Sequence, residues 1–223
     1  MELFDKILIC HCSALKERKQ HLQDQLKNFT ITPIEWIESH SVEELANTYD
    51  QLLSPADDNI IVNCLYNPYQ SKHKKINIRE LSLYLKHVEC IKILEKEQLK
   101  NILILEDDVM LPDNFIEYVQ ALNEELVQSK ITFDIIELGG YENYKAIGAS
   151  ERKRIYTHPQ FFTRCTHAYT VNARNVSIIL EDLKLINNPI DFRLNAIIAK
   201  RKLRIGWIEP GLKQNKHFTS TLR

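Results

Sequence analysis

Apolar residues along this chain gather into short aliphatic runs divided by longer amphipathic stretches. The run 6–10, KILIC, predicts a strand, and Leu15, Leu22 and Leu26 on an otherwise charged stretch predict a helix over 14–28. PIEWI, 33–37, predicts a second strand. Ser41 followed by Glu44 forms a capping box and opens a helix over 42–53. Residues 54–77, with Pro55, Asp57, Asp58, Asn67, Pro68 and a basic run at 72–75, read as a loop excursion. The strongest helical pattern covers 78–97, where Leu81, Leu85 and Val88 share a face that Tyr84, His87, Ile91 and Leu94 widen. NILILE, 101–106, follows at once, and continuous aliphatics over so short a span fit a strand buried on both faces. Pro112 starts a helix to about 127, FDIIEL at 133–138 and HAYTVN at 167–172 read as strands, and a helix spans 173–184. Asn188-Pro189 opens one more helix, LRIGWI at 203–208 is a last strand, and 209–223 reads as irregular. Strand and helix alternate throughout. That predicts α/β architecture, one domain over 1–223 with a mostly parallel central sheet flanked by helices.

Composition trims the possible functions. The 29 basic and 30 acidic residues give a net charge of -1, which argues against a nucleic-acid binder. No apolar run reaches the roughly 18 residues of a membrane span. The start of the chain lacks a basic region followed by a long apolar one, so no signal peptide and a cytoplasmic location are expected. The 5 cysteines are scattered without CxxC spacing, which points to reduced thiols rather than zinc or disulfides. Glycine is the outlier, with only 5 in 223 residues.

The strongest chemical signal is Glu106-Asp107-Asp108, at the end of the buried strand NILIL. Ligands of open α/β sheets bind beyond the carboxyl ends of the strands. Residues two apart in extended chain point the same way, which would aim Glu106 and Asp108 at one cation. Hard oxygen donors select Mg²⁺, Mn²⁺ or Ca²⁺, typically beside a phosphate-bearing substrate. The plainer alternative is a solvated turn in which Asp107 or Asp108 caps a helix.

ELSLYLKHVECIKILEKEQLKNILILEDDVML resembles the central block of glycosyltransferase family 25, a helix carrying glutamate and histidine followed by an aliphatic strand ending in E-D-D. Glu80, His87 and the triplet 106–108 occupy the corresponding positions. TFDIIELGG, Thr166-His167-Ala168-Tyr169 and Pro189-Ile190-Asp191 resemble further family segments in the right order, as do the first strand and Arg18. The sequence departs from the family at Cys10-His11, Arg79, Ser82, Lys86 and Cys165, several of which replace family glycines.

The resemblance implies a GT-A-like (Rossmann-like) domain that uses Mn²⁺ or Mg²⁺ and moves a hexose, with inversion, from a UDP-hexose such as UDP-galactose. The implied acceptor is a lipooligosaccharide or other surface glycan, reached through peripheral contact at the inner face of a membrane. A member that binds glycan or nucleotide sugar without transfer is the alternative. Glu106, Asp107, Asp108 and His217 become candidate metal ligands, and His11, Arg18, Glu80, His87 and His167 candidate donor contacts. An inverting transfer needs a base, and Asp191 at a helix start is the first candidate. Glu137 and Asp134 are runners-up. Basic clusters at 72–75, 152–154 and 200–204 would attract an anionic acceptor or leaflet if they shared a surface.

Overall fold

The computed structural model describes residues 3–30, 32–55, 76–140, 146, 148, 153–157 and 165–218. The excursion with its basic run 72–75, Cys64, and most of the 141–152 loop with Arg152 lie outside them.

One mixed sheet runs in the order β2-β1-β3-β7-β5-β8-β4, with β6 paired to β8. β1 (Lys6–Cys10) pairs in parallel with β2 (Ile34–Ile37) and β3 (Asn101–Glu106). β5 (Ile135–Gly139) pairs in parallel with β8 (Ile205–Gln214). Between these two groups β7 (Ala168–Asn172) is antiparallel to both β3 and β5. β1, β2, β3, β5 and β8 therefore all point one way. The reversal of β7 is invisible in its sequence, because an aliphatic run reports burial and not direction. Two short strands go beyond the sequence pattern, β4 (Val109–Met110) and β6 (Ile155–Thr157), both antiparallel to β8.

Alternate residues of the strands feed two apolar layers. Leu8, Cys10, Ile102, Ile104, Ile135 and Trp207 face α4 (Ile78–Lys96), α6 (Val176–Leu183) and α7 (Ile190–Arg201). Ile7, Ile9, Leu103, Leu105 and Leu138 face α1 (Lys16–Leu26) and α5 (Phe115–Ser129). The helix expected over 42–53 is two single turns, α2 (Val42–Leu45) and α3 (Tyr49–Leu52), and the Ser41–Glu44 capping box opens the first. A second capping box opens α4, where the Asn77 side chain accepts from the Glu80 N–H and the Glu80 carboxylate accepts from the Asn77 N–H.

Glycine scarcity shows at helix ends. Lys130 and Lys202 take the left-handed conformation that closes α5 and α7, a position usually given to glycine. The segment expected to be irregular after Ile208 instead continues β8 to Gln214. Its register against β5 jumps between Glu137 and Gly139, and it then pairs with β4. Among the described residues no helix is long and apolar enough to cross a membrane.

Candidate active site

The carboxyl ends of β1, β3 and β5 meet the start of β7 and the helix starts of α4 and α7. Every acid of the triplet sits here, but each has different company. β3 stops at Glu106 and the chain turns at Asp107 and Asp108, so simple strand alternation no longer applies to them.

Asp107 is buried and fully engaged. Its Oδ2 pairs with His11 Nδ1 at 2.8 Å and accepts from the Cys12 N–H at 3.3 Å, and its Oδ1 accepts from Arg18 Nη1 at 2.9 Å. Burial works to raise its pKa, but the His11 and Arg18 contacts outweigh it and hold the carboxyl below its ordinary value.

Glu106 faces the α4 side. Its Oε1 accepts from the Thr166 hydroxyl at 2.8 Å and lies 3.5 Å from His87 Nε2. The other ring nitrogen, Nδ1, meets the Tyr169 hydroxyl at 2.9 Å, and the two rings stack 5.7 Å apart. Burial opposes ionisation of Glu106, yet His87 and Thr166 hold its pKa low. Burial also opposes a charged His87, but Cys10 and Glu106 outweigh it and push the imidazole up to about 10. A carboxylate and an imidazolium thus neutralise each other beneath the site, with His87 wholly buried.

Asp108 is the exception. Its partners are the Gln214 amide at 3.4 Å and the Arg18 guanidinium at 3.6 Å, both long. Burial and the neighbouring Glu106 raise its pKa to about 6, and Arg18 only partly opposes them. Its backbone carbonyl accepts from the Asn215 N–H at 2.7 Å, so the turn after β8, which carries His217, lies against it. His217 is exposed, and its own N–H donates to Asn215 Oδ1 at 3.0 Å. Among the described residues no group of three or more His, Cys, Asp or Glu side chains is arranged to hold a metal ion.

Asp191 opens α7, its Oδ1 accepting from the Phe192 N–H at 2.8 Å. Burial raises its pKa, and Glu106 and Glu80 add to that, which places all three acids in one neighbourhood. The two other candidate bases have different surroundings. Asp134 is at the opposite end of β5, holding Arg174, Asn175 and the Arg204 N–H. Glu137 is inside the sheet core, opposite Tyr169.

His11 and His167 are each 1% exposed. His167 donates from Nε2 to the Leu212 carbonyl at 2.9 Å, and its own carbonyl accepts from the Glu106 N–H at 2.9 Å. Lys86, in sequence only a departure from the family pattern, is a buried lysine whose amine donates to Ser39 O and Ser82 Oγ and ties α4 to the end of β2. Gln214 and Asn215 carry no sequence signal, because their place beside Asp108 depends on the unanticipated extension of β8. Of the basic clusters, Lys200 and Arg201 pair with Asp182.

The model of glycosyltransferase family 25, described as an LPS biosynthesis protein, matches residues 4–194. The chain belongs to glycosyltransferase family 25. The matched span contains the whole acid triplet, Thr166-His167 and Asp191, and stops short of the turn at 215–217. No curated protein matches the chain. Solved structures overlap it partially. A glycosyltransferase involved in glycosylation of the major capsid of PBCV-1 is 12% identical with TM-score 0.36, covering 80% of this chain and 66% of its own. Mannose-1-phosphate geranyltransferase from Thermus thermophilus is 11% identical with TM-score 0.44, covering 94% and 73%. Mouse xyloside xylosyltransferase 1 is 13% identical with TM-score 0.37, covering 94% and 71%. The assignment to glycosyltransferase family 25 rests on the family match.

Proposed function

We propose that this protein transfers a hexose, with inversion, from a nucleotide diphosphate sugar to a hydroxyl of a surface glycan. The observation that carries this reading is the uneven compensation of the acid cluster. Asp107 and Glu106 are neutralised by the protein itself, whereas Asp108 and Asp191 keep raised pKa values. Buried acids left short of positive charge are candidates for functional groups.

Asp108 fits a divalent cation as a desolvated oxygen donor with little else to bind. Asp107 does not, since both its oxygens are taken. Cations of the Mg²⁺ type are commonly held by one or two carboxylates plus substrate phosphates rather than by an all-protein cage. Asp108, with His217 from the adjoining turn, would hold Mn²⁺ or Mg²⁺ in this manner. When bound, such an ion offsets charge that grows on the departing diphosphate.

The protein's own groups do the rest. Asp191 accepts the proton of the acceptor hydroxyl as that oxygen bonds to the anomeric carbon and the bond from that carbon to the diphosphate breaks. A raised pKa suits this role, because a base works best with its pKa near the working pH. Glu106 and Glu80 next to it disfavour further negative charge and so favour the protonated product form of Asp191. Arg18 holds Asp107 in place and offers its positive charge near the diphosphate. UDP-galactose as donor and a lipooligosaccharide as acceptor follow from the family resemblance, and a lipid-linked acceptor would bring the protein to a membrane surface.

Isothermal titration with UDP and Mn²⁺, followed by a screen of UDP-, GDP- and CMP-sugars for nucleotide release, tests the reading. Expected are metal-dependent UDP binding and release from a UDP-hexose. Binding without release would mark a member that recognises nucleotide sugars without transfer, and absence of binding would sink the proposal.

A further inference from the structure

Three of the five glycines meet at one place, where the extension of β8 crosses the end of β5. A Cβ on Gly211 would stand 2.8 Å from the Gly140 Cα, and a Cβ on Gly139 would stand 2.7 Å from His167 Nε2. Both separations are too short for any side chain, so the backbones and the imidazole touch directly. At the same point the Leu212 carbonyl accepts from the Gly140 N–H and from His167 Nε2, each at 2.9 Å. His167 in turn accepts at its carbonyl from the Glu106 N–H. One residue therefore joins the acidic end of β3 to the crossing strand.

The strand leads straight to the site. Within two residues of Leu212 it reaches Gln214, which faces Asp108, and then Asn215, whose N–H binds the Asp108 carbonyl and whose side chain meets His21 at 3.2 Å. Phe218 closes the turn, lying against the His21 ring and over the Arg18 guanidinium. The 214–218 segment over Asp108 and Arg18 is thus held at Leu212 as well as by the pairing of Lys213 and Gln214 with β4.

We propose that His167 is a positioning residue, which by clasping the Leu212 carbonyl fixes the 212–218 arm against Asp108 and so preforms the diphosphate end of the donor site. The idea rests on the nucleotide-sugar reading above. It differs from donor contact by His167, because the ring spends its Nε2 proton on the arm and is closed off from solvent.

The test compares His167→Leu, which removes the donor, with His167→Gln, whose amide nitrogen reaches the place of Nε2, and His167→Asn, whose shorter amide does not. Hydrogen exchange at the Gly140 and Asn215 amides reads the arm, and titration with UDP and Mn²⁺ reads the site. Removing a group that orients a ligating element typically costs roughly 10–100-fold in affinity. We expect that loss in His167→Leu and His167→Asn, with exchange at both amides accelerated, and recovery of both readouts in His167→Gln. Equal impairment of all three variants would overturn the clasp in favour of ring packing alone. Unchanged UDP affinity in His167→Asn would overturn it as well, and this variant decides the matter if His167→Leu fails to fold. Failure of the unsubstituted protein to bind UDP would sink the donor reading instead, and the exchange comparison would still decide whether His167 holds the arm.

Discussion

The two ends of the same sheet treat their acids differently. At the end where β5 and β8 begin, Asp134 accepts from Arg174, Asn175 and the Arg204 backbone, and nearby in the helical layer Asp182 accepts from Lys200 and Arg201. Asp182 accordingly has a lowered pKa, held down by Arg201 and Lys200. At the other end Glu106, Asp107, Asp108, Asp191 and Glu80 crowd together around Arg18 and His87, and two of the five remain raised. One end uses acids to hold the fold, and the other accepts repulsion to keep acids available. Incompletely compensated buried acids of this kind are what the proposed transfer reaction rests on.

Substitutions of Asp108 and Asp191, the two acids whose pKa values stay raised, should therefore cost function and not stability. The largest effect is expected for Asp108→Asn, a fall in nucleotide-sugar turnover of roughly 10²–10³-fold, with a fold at least as stable as the unsubstituted protein in urea. Asp191→Asn should lower turnover by about 10²–10⁴-fold while UDP affinity stays within about twofold, measured by titration beside steady-state kinetics. A large loss of UDP binding would place Asp191 on the donor instead of on the acceptor.

pH sharpens the same contrast. The Asp108 carboxyl sits at about 6 in the folded chain against 3.8 when free. Its ionised form is disfavoured by folding, so stability should rise as pH falls from about 7 towards 4, by roughly 2–3 kcal/mol. Asp182 and Asp107 have the opposite sign. Their lowered values add stability above the free carboxyl pKa, and it is lost as pH falls below about 4. Urea unfolding at a series of pH values should show a maximum near 4–5 that Asp108→Asn flattens. A monotonic decline from pH 7 would mean that Asp108 is compensated after all.

At the structural end, Asp182→Asn should cost about 1 kcal/mol, because its partners Lys200 and Arg201 are exposed, and less at high salt. The smallest effect belongs to Lys202→Gly beside it. Lys202 is left-handed with φ 52, and glycine there should stabilise by about 0.5–1 kcal/mol without altering turnover.

The sequence revealed elements where local pattern decides, as in α4 and β3, whose cap and aliphatic run need nothing distant. It did not reveal β7's direction or the reach of β8, since both depend on neighbours. Val109–Met110 is too short to read as a strand, yet it carries Lys213 and Gln214 onward. The acids themselves were legible, and so was Asp191 as a helix-start carboxylate. Which of them are free was not legible. That depends on His11 and Arg18, 96 and 89 residues away from Asp107, and on the turn at 215–217.

The reversed strand also sets a timetable for synthesis. β1, β2 and β3 can assemble once residue 106 has emerged, but the outer edge of β3 finds its partner only when residue 172 is made. At about 5–20 residues per second, those 66 residues take roughly 3–13 s. Throughout that interval an edge bearing Ile102, Leu103, Ile104 and Leu105 stands open to other nascent chains. Yield on expression should therefore respond to growth temperature and chaperone supply more than the finished fold would suggest.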